Sequence, residues 1–426
     1  MKHPIICLLL INLLCFTASF SQEKRDSNLF ILSGATIING GTSEGFVGYV
    51  VIESSKIIEV GKGEYGEIPS GATWINLEGY FLVPGYIDAH VHFGTDPSGY
   101  DNLAATKERL RYLLINGITS ARDMAGDTRY LSFLKRSADL NEIDSPNLYY
   151  SSLMAGPSFF DDERTHSSAK GAIPGEAVWM KGITEETNIM MAVAEAKGTG
   201  ATGIKIYADL GVNLVRSIVE EGHAQGIKIW SHATIFPAKP FEIVATGMDA
   251  ISHAPLLAWE TVDYLPSSAK KRYVEQSEFN VDDEAFIKLL KEMKSRGTIL
   301  DATLATYKNE RFKEKVYPTG VAATKKAYEM GVKIGVGTDI DLFELPEIEP
   351  LFQEMDILVN EVGMTPAEVL YAATMINAEI IGIESETGSI EAGKRADLVV
   401  LKESPILDIK NASNIYMVIK HGQIVR

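Results

Sequence analysis

Cysteine is almost absent. The chain has 426 residues and two cysteines, Cys7 and Cys15, both within the first 21 positions. From residue 22 onward there is no thiol, which excludes disulfide bonds and a cysteine nucleophile from that part of the chain. Positive charge is scarce as well. The 40 basic residues face 57 acidic ones, and the net charge of −17 argues against nucleic acid or an anionic lipid surface as partner. The most apolar stretch, Ile5 to Phe16, has 12 residues, short of the roughly 20 a membrane-spanning helix needs. Apolar residues are otherwise plentiful at 46%, with 23% charged, which is the balance of a globular chain with a large core. At roughly 150 residues per domain the length predicts two or three domains, although an α/β barrel can hold about 250 residues as one.

The N-terminus stands apart. "MKHPIICLLLINLLCFTASFSQ" opens on Lys2, continues through the apolar run and ends on small residues at Ser19 and Ser21. That is the layout of a secretory signal peptide, with cleavage expected after Ser21. Lipid attachment at Cys15 is the alternative, but Leu13 and Leu14 stand where small residues are wanted. Export to the periplasm or the extracellular space would leave a chain with a net charge of −18 and no stable membrane insertion.

Residues 22–83 read as short β-branched strands punctuated by glycine, as in "LFILSGATIINGG" and "GYVVIESSKIIEVGKG". Residues 383–426 have the same character. Between them, over 84–382, short apolar strands alternate with helix-period segments, the pattern of βαβ units and a parallel sheet. Five of these segments echo one another. "GITSARD", "GIKIYAD", "GIKIWSHA", "GMDAISHA" and "GVKIGVGTD" each start on glycine, run through apolar residues and end on a polar group. Glycine suits the left-handed close of a preceding helix, and the apolar run suits a buried strand. Strands are expected at 83–92, 117–123, 146–155, 203–208, 227–232, 248–253, 298–304 and 332–339. Eight is the number a closed (β/α)8 barrel requires, and active sites of that fold gather at the C-terminal ends of its strands. The two terminal β segments are expected to pair into one small composite β-sandwich beside the barrel.

The polar strand ends converge in type. His90 and His92 in "PGYIDAHVH" are two residues apart on a strand, so both project to one face. His232, His253 and Asp339 end later strands. Four imidazoles and a carboxylate on one barrel face suit a borderline metal, zinc above all. Lys205, between Ile204 and Ile206, has two readings. It reaches solvent or pairs with Asp209, or it loses its proton, takes up carbon dioxide and bridges two metals as a carbamate. His223, near a helix end, and His421, before a turn glycine, read as structural.

Taken in order, "PGYIDAHVH", "TGIKIY", "IWSHA", "ISHA", "GVGTD" and "GSIEAGKRADLVVL" resemble the amidohydrolase superfamily. The branch they are most similar to is that of the imidazolonepropionase-like and Xaa-Pro dipeptidase (prolidase-like) enzymes. The resemblance implies an α/β (β/α)8 TIM barrel with a β-sandwich built from both termini. It also implies that His90, His92 and Asp339 hold one divalent ion, that His232 and His253 hold a second, and that N6-carboxylated Lys205 bridges them. Imidazolonepropionases proper use a single metal and lack this lysine, so "GIKIY" favours the two-metal branch.

On this basis the expected function is hydrolysis of an amide C–N bond in a small carboxylate-bearing substrate, an Xaa-Pro or other dipeptide, through a metal-bridging hydroxide. Alternatives within the fold are a cyclic amide, an N-acyl amino acid, a carbamate, a lactone, or deamination. A catalytically silent binding module is the alternative of another class. Asp339 is expected to carry the proton and Tyr207 to donate to the oxyanion. His166, in the polar stretch "PSFFDDERTHSSAKGAIPG", and Arg122 are candidate substrate contacts. The related dipeptidases place a Gly-His pair where this chain has Thr165-His166. Arg122 has a second reading as scaffold held by Asp123 or Asp127. Asp88 and Asp301 are expected to orient ligands or backbone. Homo-oligomerisation is left open.

Overall fold

The structure, a computed structural model, describes residues 29–41, 44–94, 101–263, 265, 273–339 and 345–426. The expected signal peptide at 1–21 lies outside the described residues. Among the described residues no helix is long and apolar enough to cross a membrane.

The chain opens with five strands: β1 (Leu29–Ile37), β2 (Phe46–Glu53), β3 (Lys56–Lys62), β4 (Thr73–Asn76) and β5 (Phe81–Pro84). Three strands then alternate with helices: β6 (Tyr86–Val91), β7 (Ile118–Asp123) and β8 (Asn147–Ala155). A short hairpin follows, β9 (Glu176–Ala177) and β10 (Met180–Gly182). Five more alternating strands complete the middle: β11 (Gly203–Ile206), β12 (Lys228–His232), β13 (Ala250–Ser252), β14 (Ile299–Asp301) and β15 (Ile334–Gly335). The chain ends on β16 (Leu398–Leu401), β17 (Ile415–Lys420) and β18 (Gln423–Ile424).

The eight strands β6, β7, β8 and β11–β15 run parallel in chain order, each beside the next. They are buried on both faces, as a barrel wall inside a ring of helices must be. All eight fall where the apolar runs place them. The seam between β15 and β6 is joined differently. Single backbone bonds, Ala89 N to Val336 O and Asp339 N to His90 O, cross it. The fully buried Asn377 staples it further, its amide nitrogen donating to Ile87 O and Val336 O while its oxygen accepts from Val336 N. Gly335 makes room for this staple, since a Cβ there would stand 3.0 Å from the Asn377 oxygen. Strands β13–β15 are shorter than their apolar runs. The chain leaves the ladder at their ends, where His253, Thr303 and Asp339 take left-handed backbone with φ of 74°, 52° and 51°.

The terminal strands form one separate mixed sheet in the order β18-β17-β16-β5-β1-β2-β3, with β4 beside β1. β16 pairs antiparallel with β5, so the C-terminal tail joins the N-terminal strands. Leu32, Val50, Ile52, Leu82, Leu398 and Val400 share its core. Pro84 ends β5 and Gly85 turns the chain into the barrel. A Cβ at Gly85 would stand 2.1 Å from Thr119 Oγ1, which explains the glycine. His421 takes φ of 49° in the β17–β18 turn, and His223 bonds Asp249 at 2.9 Å; neither approaches the strand-end histidines.

The stretch 157–183 follows β8. It is built rather than open, with a helical turn at Pro157–Asp161, a helix at Glu163–Ala169 and the β9–β10 hairpin. Asp162 caps that helix by accepting from Arg164 N.

Candidate active site

The polar strand ends meet at one mouth of the barrel. His90 and His92 come from β6, and Asp339 follows β15 across the seam. His90 Nε2 and His92 Nε2 lie 3.2 and 3.0 Å from Asp339 Oδ1. One ligand atom of each of these three residues falls within 4.8 Å of the others, so the group can hold a metal ion. His253 Nδ1 lies 3.6 Å from Asp339 Oδ2. The His253 ring centroid is 5.1 Å from that of His90 and 4.7 Å from that of His232. Tyr207 lies against His232, with ring centroids 4.0 Å apart.

Each ring is held from behind. His90 Nδ1 bonds Asp301 Oδ2 at 2.8 Å, which aims Nε2 at the mouth. Asp301 also accepts from Ser252 Oγ and Arg122. His253 Nδ1 bonds Thr303 Oγ1 at 2.9 Å. Asp88 accepts from His90 N and from both the backbone and hydroxyl of Thr338, tying β6 to the Asp339 loop. Gly337 is required for this approach, because a Cβ there would stand 2.3 Å from Asp301 Oδ1. Three left-handed non-glycine residues in one wall, His253, Thr303 and Asp339, concentrate backbone strain where the ligating groups are aimed.

The electrostatics suit metal ligands. Burial drives His253 down to about 3 and His232 well below its ordinary value, so both imidazoles are neutral at pH 7. Burial opposes the charge of Asp339. The His90 and His253 rings and the hydrogen bonds from His90 and His92 outweigh that, and its carboxyl stays well below the usual range. Lys205 is 1% exposed, and among the described residues its Nζ has no hydrogen-bond partner. Burial, reinforced by the Arg122 guanidinium, lowers it to about 7 against the pull of Asp301 and Asp339. The solvent-reaching reading of Lys205 is therefore excluded. Burial raises the Tyr207 hydroxyl, so it remains a proton donor at neutral pH.

Six of the candidate residues, together with Tyr207, thus gather at the mouth, and two others do not. Arg122 is fully buried beneath it, donating to Ala89 O and Asp301 and stacked 4.4 Å over the Trp230 ring. That is the scaffold position; it offers no face to a substrate. His166 is exposed on the helix Glu163–Ala169, and among the described residues no ring contact joins it to the gathered histidines. Sequence reasoning missed Asn377 and Thr303, whose partners are distant in sequence.

A barrel with a histidine pair ending its first strand, a carboxylate after its last and histidines between defines a class of metal-dependent hydrolases acting on carbon–nitrogen bonds. The amidohydrolase family profile matches residues 81–425, and the chain belongs to that family. Ochratoxinase of Aspergillus niger is 24% identical over 372 residues, covering 77% of this chain and 72% of its own. Imidazolonepropionase of Treponema denticola is 25% identical over 432 residues, covering 89% and 92%. A solved Xaa-Pro dipeptidase with bound methionine shares the fold, with a TM-score of 0.73, 21% identity and coverage of 93% and 100%.

Proposed function

We propose that the protein is an exported binuclear metallohydrolase that cleaves an amide bond in a small carboxylate-bearing substrate, a dipeptide such as Xaa-Pro or an N-acyl amino acid. The observation that carries this reading is Lys205. A buried amine near Asp339 and His232, with no hydrogen-bond partner among the described residues, has no structural explanation as an ammonium. As a carbamate it would be an anion among cations. In this reading His90, His92 and Asp339 would hold one ion, zinc by donor type, His232 and His253 would hold the other, and Lys205, once carboxylated, would be a ligand shared by both. When bound, the ions would supply Lewis acidity and bring a water's pKa toward about 7. Asp339, ionised and beside both histidine pairs, accepts the water's proton at Oδ2 and returns it to the departing nitrogen. Tyr207 donates its hydroxyl hydrogen to the tetrahedral oxyanion. Arg122 is a positioning residue acting through Asp301 and Ala89. A silent binding module of this fold would have no reason to keep all six ligands.

Two measurements test the reading. Zinc-reconstituted protein should hold two ions per chain by elemental analysis, and Lys205→Ala should lose activity that short carboxylic acids partly restore. Fewer than about one ion per chain, or full activity of Lys205→Ala without added acid, would overturn the two-metal site. Comparing kcat/KM for Xaa-Pro dipeptides, other dipeptides, N-acyl amino acids, cyclic amides and lactones then assigns the bond.

A further inference from the structure

One buried carboxyl has no part in the mechanism above. Glu354 lies on the helix Pro350–Ile357 and has no exposure to solvent. Leu351 and Met355, its neighbours on the same helix face, are buried too, so the carboxyl interrupts the apolar stripe that packs this helix into the main core. An acid at such a position is costly unless its oxygens find donors. They do. Oε1 accepts from Leu304 N at 2.9 Å and Oε2 from Ala305 N at 2.6 Å. Both nitrogens belong to the segment that leaves β14 for the barrel mouth.

That segment backs two of the gathered rings. Asp301 holds His90, and Thr303 Oγ1 lies 2.9 Å from His253 Nδ1. Tyr307, further along, sets its ring 6.3 Å from that of His253. Thr303 is fully buried with φ of 52°, a left-handed conformation that a β-branched residue adopts only where its surroundings impose it. The bonds that impose it stand on both sides. Before it, Ala302 O accepts from Ala254 N at 3.1 Å. After it, two successive backbone nitrogens point at Glu354. The left-handed turn aims the Thr303 hydroxyl at His253. By engaging Nδ1, the hydroxyl leaves Nε2 as the nitrogen able to ligate.

We propose that Glu354 is a positioning residue for the second ion. Its carboxyl fixes the left-handed turn at Thr303, and the Thr303 hydroxyl then fixes the His253 ring. This role rests on the two-ion reading above and adds to it a residue from outside the barrel strands. The carboxyl acts through two backbone bonds and one side-chain bond, not by ligation. Glu354→Gln keeps the shape but turns an amide nitrogen, which cannot accept, toward one of the two backbone N–H groups.

The test loads the full chain with zinc, counts ions by elemental analysis and measures each affinity by competition with a chelator. Glu354→Gln should weaken the second ion about ten- to a hundredfold, as loss of an outer partner does. The first ion should stay within about threefold, because the ladder on both sides of β14 holds Asp301 in place. Thr303→Val should weaken the second ion to the same degree, whereas Thr303→Ser keeps the hydroxyl and the affinity. In a Thr303→Val chain, Glu354→Gln should cost no more than about twofold further, because the two residues act in series. Thermal unfolding of the metal-free chains records the purely structural cost, which has no reason to follow that coupling. Should Glu354→Gln fail to fold, Glu354→Asp, with its oxygens set back by one methylene, takes its place. The imidazole nitrogen resonances of His253, read by NMR on the metal-free chains, report the Nδ1–Oγ1 bond directly and should shift alike in Glu354→Gln and Thr303→Val. An unchanged second-ion affinity in folded Glu354→Gln, losses that multiply in the double variant, or equal weakening of both ions overturns the positioning role. A wild type that holds a single ion overturns the two-ion reading instead. The role of Glu354 is then decided by the His253 resonances: a shared shift supports it, and resonances that Glu354→Gln leaves in place overturn it.

Discussion

Asp301 has no contact with solvent, yet three groups depend on it. It bonds His90 Nδ1, accepts from Ser252 Oγ, and pairs with the buried Arg122. Its charge is maintained against burial by His90 and Arg122, so the carboxylate, not the acid, orients the ligand. Asp301→Asn should therefore lower metal affinity about ten- to a hundredfold, read by competition with a chelator. It should also lower the melting temperature, because Arg122 would remain buried without its counter-charge. An affinity within twofold of wild type would remove Asp301 from the metal site. At this scale the sequence was informative wherever a residue's chemistry is rare. Histidines at strand ends and a lysine between isoleucines stand out against an apolar background. Arg122 does not, because an arginine at a strand end reads equally as substrate clamp or as scaffold. Only its burial against Trp230 and Asp301 decides for scaffold.

The seam between β15 and β6 is the weakest part of the barrel wall, and the first ligand group straddles it. His90 and His92 stand on one side and Asp339 on the other, across a strand of two residues. Asn377 compensates with three bonds to the backbone of both sides. Replacing it by alanine would take the side-chain partner from Val336 N and Ile87 O, while Val336 O keeps its bond from Ala89 N. Asn377→Ala is expected to cost about 2–6 kcal/mol of unfolding free energy, measured in urea, at about 1–3 kcal/mol for each of the two groups stranded. Metal affinity should fall along with stability. Unchanged affinity in a destabilised variant would show that the two edges are held by the backbone bonds alone. Nothing in "TMINAEI" marks its asparagine as a staple, since its partners lie 41 and 290 residues away. The glycines of "GVGTD" were visible, but the close approaches that require them were not.

The molecule as a whole buries carboxyls beside its site. Glu354 accepts from Leu304 N and Ala305 N under the β14 loop, and Glu349 caps the helix Pro350–Ile357, its Oε2 without a partner among the described residues. Burial pushes both up to about 8, with the Asp88 charge adding to each. A carboxyl raised in the folded state binds its proton more tightly there than in the unfolded chain, where it titrates near 4.5. Its stabilising contribution is complete below that value and is lost as pH rises toward about 8. Within that window the two groups should each lower stability by up to about 1.4 kcal/mol per pH unit. Urea unfolding of chelator-treated protein at pH 5.5, 7 and 8.5 measures this. A flat or rising profile would show that both carboxyls are ionised throughout.

Local sequence determined the parts of this protein whose signal is local: the eight apolar runs, the glycines that close the helices before them, the β-branched termini, and the rare polar groups at strand ends. These follow from backbone periodicity and side-chain chemistry, which act over a few residues. Tertiary structure decided which polar groups face one another. It set Asp301 behind His90, buried Lys205 beneath the mouth and sent Arg122 beneath the site. The physical reason is that burial and pairing depend on what the closing barrel brings near, and those neighbours come from strands as far as 250 residues apart along the chain.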